Sequence, residues 1–194
     1  MTIAYDETLP LREVRARYFR DNAFGEDGGY AKKWVSVQLG PLPLGFPNSA
    51  ARVRAVKYHD LHHVVTGYAT DVVGEAEIGG WEIGSGCAGF VAAWILNLYA
   101  MVLGFLSGAP GAVFRAFVRG RHTRNLYRTA YDDALLDQKL GEVRARLALG
   151  GAETAPTRGD RIAFAAWSTL AIALFLATLA LLLSPIALLV GALV

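Results

Sequence analysis

After Arg161 the chain carries no further charge. The run from Ile162 to Val194, IAFAAWSTLAIALFLATLALLLSPIALLVGALV, holds only apolar, small and hydroxyl-bearing residues and one proline. A helix crosses the ~30 Å hydrocarbon core of a bilayer with about 20 apolar residues, and Ile162 to Leu183 alone supplies them. The tail is therefore expected to be a transmembrane helix. Pro185 interrupts the run, and the IALLVGALV that follows is too short to span by itself, so it is expected to extend the span past a kink or to form a short re-entrant piece. Gly150, Gly151, Pro156 and Gly159 precede the tail as a linker. The organisation expected is a domain over 1–150, a linker over 151–161 and a hydrophobic anchor over 162–194. Composition agrees, since 54% hydrophobic against 19% charged residues is apolar for a wholly soluble chain of this length.

A second apolar run, Cys87 to Leu106, is broken only by polar punctuation at Asn97 and then Ser107. Its length permits a span. Trp94, Asn97, Tyr99 and the glycines suit a buried helix or the wall of a lipid tunnel better, and that is the assignment preferred. Cys87 is the single cysteine, which excludes an internal disulfide and fits a simply buried thiol.

The chemistry is concentrated in residues 58–75, YHDLHHVVTGYATDVVGE, where three of the four histidines stand beside an aspartate. Asn48 or Ser49 offers a helix start and Gly67 a stop. On such a helix, with His59 at zero, His63 falls near roughly 40° and Asp60 near roughly 100°, so one arc presents all three. His62 falls near roughly 300° on the other flank, and a triad of His59, His62 and His63 is the alternative. Imidazole and carboxylate donors suit zinc, iron or manganese, and three donors with a more distant carboxylate can leave a coordination position open. A lone HxxxH is more often an ordinary surface or hydrogen-bonded pair, but Asp60 and Glu75 shift the reading to a metal site. Four histidines in all are too few for the multi-box di-iron membrane oxygenases. No histidine precedes His59, as an HD-type phosphohydrolase requires, and no HExxH occurs.

His59, Asp60 and His63, followed after eleven residues by Glu75, resemble the His-Asp-x-x-His, eleven residues, Glu signature of the coenzyme Q biosynthesis protein 4 family. The likeness extends to GGYAKKWVSVQLGPLPLGFPNSAARVRAVKYHD ahead of the motif and to GFVAAWILNLYAMVLGF, FRAFVRGRHTRNLY and LDQKLGEVRARLAL after it, covering about residues 10–150. The resemblance implies an all-α fold, a single helical domain to which this chain adds a C-terminal transmembrane helix, a departure from the family's peripheral pattern. It implies that His59, Asp60, His63 and Glu75 hold a divalent metal, zinc first, with iron or manganese as alternatives. It further implies a lyase or oxidoreductase of ubiquinone biosynthesis that replaces the ring carboxyl of a prenylated aromatic precursor with hydroxyl. Asp60 and Glu75 are the expected catalytic groups, Glu75 as ligand or base. The rival expectation is a non-enzymatic prenyl-lipid-binding scaffold that organises other quinone-biosynthesis enzymes at the membrane, with homo-oligomerisation open. Glu82 lies seven residues after Glu75, about 20° away on a helix, and is the next candidate participant, with Glu77 beside it.

Arg115, Arg119, Arg121, Arg124 and Arg128, with His122 among them, are spaced as one helical stripe able to hold phosphate headgroups or a substrate carboxylate, or to form a solvated basic face. Arg144, Arg146, Arg158 and Arg161 precede the tail and nothing charged follows it. The positive-inside rule then places the domain on the cytoplasmic side of an inner membrane. Asp6, Glu7 and Glu13 argue against a mitochondrial presequence. A net charge of +2 and no nucleic-acid motif give no reason to expect nucleic acid as a partner.

Overall fold

A computed structural model describes residues 4–39, 42–151 and 154–191. Among the described residues eight helices and one hairpin follow in order: α1 (Leu11–Asp21), β1 (Trp34–Leu39), β2 (Leu42–Pro47), α2 (Ala50–Thr66), α3 (Val72–Ser85), α4 (Val91–Leu106), α5 (Pro110–His122), α6 (Asp133–Leu136), α7 (Leu140–Arg146) and α8 (Arg158–Gly191). The class is all-α as expected. The antiparallel hairpin, paired from Trp34↔Pro47 to Leu39↔Leu42, is an addition that WVSVQL and LPLGFP did not announce.

The helix that carries the histidines starts and stops where the sequence directs. Ser49 Oγ accepts from the Arg52 amide at 3.2 Å, and Gly67 closes the helix with φ 80°, a left-handed conformation that suits glycine. The Arg144 guanidinium donates to the carbonyls of Val65 and Val64, a cation placed at the negative end of α2. Asp71 then caps α3, its Oδ1 accepting from the Gly74 amide at 2.8 Å. The corner between α2 and α3 is therefore fixed at both ends.

α3 is the central helix, and glycine lets its neighbours close on it. A Cβ on Gly84 would meet the Phe117 carbonyl oxygen at 2.3 Å, and one on Gly120 would meet the Trp81 carbonyl oxygen at 2.2 Å, so α3 and α5 are nearly in backbone contact. Trp81, Phe117, Met101, Ile78 and Leu61 fill the core around this crossing. α1 closes the other side of α2 and is tied to the chain's later part by Arg12 to Asp133 and Asp137 and by the Pro10–Lys139 bridge.

Cys87 is buried, and the apolar run that begins there yields a helix only from Val91. Its 16 residues measure about 24 Å, less than the ~30 Å core of a bilayer, and one face carrying Ala93, Asn97, Leu98, Met101 and Val102 is buried in the domain. The preference for a domain helix over a span holds. α8 begins at Arg158, earlier than Ile162, and continues through Pro185 to Gly191, so the linker is shorter than expected and the proline does not end the helix. The portion Arg158–Ser184 is long and apolar enough to cross a membrane. It does not hang free. Asp160 is held by Arg121 and His122 of α5, Phe164 sits among Phe105, Phe114 and Phe117, Trp167 stacks on Trp94 at 4.9 Å, and Thr178 shares a hydrogen bond with the Tyr99 hydroxyl.

Candidate metal centre

Two histidines one helical turn apart on α2 and a glutamate in the first turn of α3 meet across the Gly67–Asp71 corner. His59 Nε2 lies 3.1 Å from His63 Nε2 and 3.2 Å from Glu75 Oε2, and Glu75 Oε1 lies 3.5 Å from His63 Nε2. The hydrogen bonds made by the other ring nitrogens decide what these three groups can do. His63 Nδ1 faces the Tyr68 carbonyl at 3.0 Å, and a carbonyl only accepts, so Nδ1 carries the hydrogen. His59 Nδ1 faces Glu82 Oε1 at 3.1 Å and donates in the same way. Both Nε2 lone pairs are thereby aimed at each other and at a carboxylate, an arrangement that requires a cation between them, a proton or a metal. Two donors 3.1 Å apart, each about 2.1 Å from a common ion, subtend roughly 95° there, and the 3.5 Å pair roughly 113°. His59, His63 and Glu75 form a group that can hold a metal ion. Two imidazoles and one carboxylate leave positions open, and the Glu75 side chain is 40% exposed, on the open side of the group.

Behind His59 lies a second carboxylate. Glu82 is wholly buried and accepts four hydrogen bonds, from His59 Nδ1, His62 Nδ1 at 2.6 Å, Asn97 Nδ2 at 2.5 Å and the Tyr127 hydroxyl at 2.5 Å. His62 is locked in one tautomer, because its Nε2 accepts from the Leu126 amide at 3.0 Å. A carboxylate that orients a ligating imidazole from behind strengthens it as a donor. His62 is thus neither ligand nor spare: it helps hold the residue that holds His59. Tyr18 stacks on His63 at 5.7 Å and walls the other side.

Asp60, read from the sequence as a ligand and a catalytic group, is not brought into the group of three. It is buried, and its Oδ2 accepts from the Tyr30 hydroxyl at 2.5 Å. Burial pushes its carboxyl above the ordinary value, against Tyr30 and the two imidazoles, which pull it down. The physical reason lies in its place on α2, about 100° from His59, which turns it toward the chain ahead of the hairpin. Glu77 also stands apart, lining a cleft of about 620 Å³ with Arg115, Arg119, His122 and Tyr68. The arginine stripe is shorter than expected: α5 ends at His122, Arg121 is paired to Asp160, and Arg124 and Arg128 fall beyond the helix.

Burial pushes the His59 imidazole down, but Glu82 and Glu75 more than offset it and hold it well above 6.5. Burial pushes Glu82 and Glu75 up, and the imidazoles outweigh it, holding both below 4.5. Folding stability is therefore coupled to these protonations. In the metal-free protein the two carboxylates stabilise the fold above about pH 4.5 and lose this as pH falls. Protonated His59 stabilises it fully below about pH 6.5 and loses this as pH rises through its raised value. Thermal melts of chelated protein should therefore peak in mildly acidic buffer and decline on the alkaline side, and saturating metal should remove the alkaline decline. An alkaline limb indifferent to metal would contradict a shared position for proton and ion.

Comparison with protein-family models, curated proteins and solved structures finds no match for this chain.

Proposed function

We propose that the chain is a membrane-anchored metalloprotein that binds a prenylated aromatic carboxylate from the bilayer and catalyses replacement of its ring carboxyl by hydroxyl. The observation that carries the metal reading is the pair of Nε2 lone pairs opposed at 3.1 Å beside Glu75, each fixed from behind by an acceptor. The substrate class rests on the resemblance of HDLHHVVTGYATDVVGE to the coenzyme Q biosynthesis protein 4 signature. A bound divalent ion, zinc, iron or manganese, would supply Lewis-acid polarisation of a phenolate or carboxylate. The chain's own residues do the rest. His59 and His63 present neutral imidazoles, Glu82 fixes the first of them, and Glu75 serves as ligand or, on the exposed side, as base. Asp60 and Tyr30 form a proton-holding pair next to the ligands. The reaction consumes dioxygen with two electrons and two protons from an external two-electron reductant of the reduced nicotinamide or flavin class; the ring carboxyl leaves as carbon dioxide, one oxygen atom becomes the ring hydroxyl and the other leaves as water. Arg144 and Arg146 ahead of α8, with Arg158 and Arg161 in its first turn, support a domain on the cytoplasmic side of an inner membrane.

A second reading has its own support. An ion at the α2–α3 corner would staple two helices that are already buried against each other, as in a structural site, and the domain would then present lipid intermediates to partner enzymes or to a second copy. One experiment separates the readings. Protein purified from membranes without chelator should carry close to one ion per chain, and His63→Ala less than a tenth of that. A prenylated carboxylated phenol under air with a reductant should lose carbon dioxide and gain one oxygen by mass spectrometry, but only with the wild-type chain. Turnover unchanged in His63→Ala would sink the catalytic reading, and a metal-free wild-type preparation would sink both.

A further inference from the structure

α8 is longer than a bilayer is thick. Its 34 residues measure about 51 Å, against a hydrocarbon core of ~30 Å, so the membrane covers one part of it. Which part decides where the domain sits. If only the distal half were covered, Ile162, Leu170 and Ile172, all exposed on the half that packs on the domain, would face water. So would Val91, 69% exposed, with Ile95 at 44% and Leu96 on the outer face of α4. No charged residue occurs between Glu82 and Arg115, so α4 has nothing that a bilayer would reject.

The contacts fix the relative depth. α5 meets α8 at its start, through Asp160 and Phe164, and Arg161 lies over the Phe114 ring there. α4 meets it at the start as well, Phe105 at Phe164, and continues further along, Trp94 at Trp167 and Tyr99 at Thr178. Thr178 lies about 24 Å beyond Ile162 along the helix axis. Cationic side chains thus gather where α8 begins, and the α4 side chains that accompany it afterwards carry no charge.

From this arrangement we propose that the bilayer covers the domain-proximal part of α8 and that α4 lies inside it without crossing, its outer face of Val91, Ile95 and Leu96 against lipid acyl chains and the α5 arginines at headgroup level. The occupant of this face is lipid, because the exposed strip is continuous in depth with the only helix among the described residues able to span. This rests on α8 being a span, and the test keeps the two apart.

The full chain, with single cysteines introduced by Ile95→Cys, Val91→Cys, Leu182→Cys or Glu13→Cys, is labelled with an environment-sensitive fluorophore. It is then reconstituted in phosphatidylcholine–phosphatidylglycerol vesicles with and without nitroxide on the lipid chains; unmutated protein controls for the buried Cys87. Labels at positions 95, 91 and 182 should lose emission roughly two-fold or more when nitroxide lipid is present, and the label at position 13 should not. Quenching at 182 with none at 95 and 91 overturns the proposal, whether water or a second copy covers the strip, and leaves the span intact. No quenching at 182 removes the span itself.

Discussion

Glu82→Ala is expected to destabilise the fold by about 3–5 kcal/mol, the range for removing one partner of a buried charge cluster, and to weaken metal binding about 10- to 100-fold. The substitution strips the acceptor from His59 Nδ1, His62 Nδ1, Asn97 Nδ2 and the Tyr127 hydroxyl at once, in a pocket with no exposure. Each donor left without a partner costs about 1–3 kcal/mol; because they share one site, the losses do not simply add. His59 then loses the contact that fixes its ring and keeps its hydrogen on Nδ1. Glu82→Gln retains an acceptor oxygen and should cost less stability, while still losing the negative charge that makes His59 a strong donor. Thermal melts and metal titration of the three proteins decide the matter. A Glu82→Ala protein that binds metal as tightly as wild type would show that the carboxylate plays no part in the centre.

Gly120→Ala should cost about 3 kcal/mol or more, near or above the upper part of the range for overpacking, and lower the melting midpoint by roughly 6–12 °C. In an isolated helix the same change would stabilise by about 1 kcal/mol, since alanine is the better helix former. Here the added carbon lands 2.2 Å from the Trp81 carbonyl oxygen and 3.0 Å from the Ser85 amide, and backbone atoms on α3 cannot swing aside as a side chain would. Steric conflict therefore outweighs propensity. Gly89→Ala meets nothing within 4 Å and serves as the control, with little change expected. Equal melting of all three proteins would mean that α3 and α5 stand further apart than described.

The frame of the centre was legible in the sequence because it depends on local rules. Ser49 and Gly67 start and stop α2 by interactions within a few residues of themselves, and the spacing of His59 and His63 needs only the pitch of a helix. What failed to show was which side chain is claimed by which distant partner. Asp60 shares the arc of the histidines, but Tyr30, thirty positions earlier, takes its oxygen. Glu82 returns to nearly the face of Glu75, and its periodicity was visible; its burial under Asn97 and Tyr127 was not, because those residues come from other parts of the chain. His62 changed most, from an alternative ligand to a locked hydrogen-bond donor. The arginine stripe failed for a simpler reason: Arg119 and Arg121 stand two positions apart, about 200° around a helix, and the helix ends at His122, ahead of Arg124 and Arg128.

Asn97 gives α4 a second character. The same helix that turns Ile95 outward turns this amide inward to Glu82, and Glu82 in turn holds His59. The path from α4 to an imidazole of the candidate centre is thus a relay of three hydrogen-bonded side chains, Asn97, Glu82 and His59. A sideways displacement of α4 would lengthen the Asn97–Glu82 hydrogen bond before either histidine moved. In such an arrangement the affinity of the candidate centre for an ion would be a property of the chain together with what lies against α4, and would belong to neither alone.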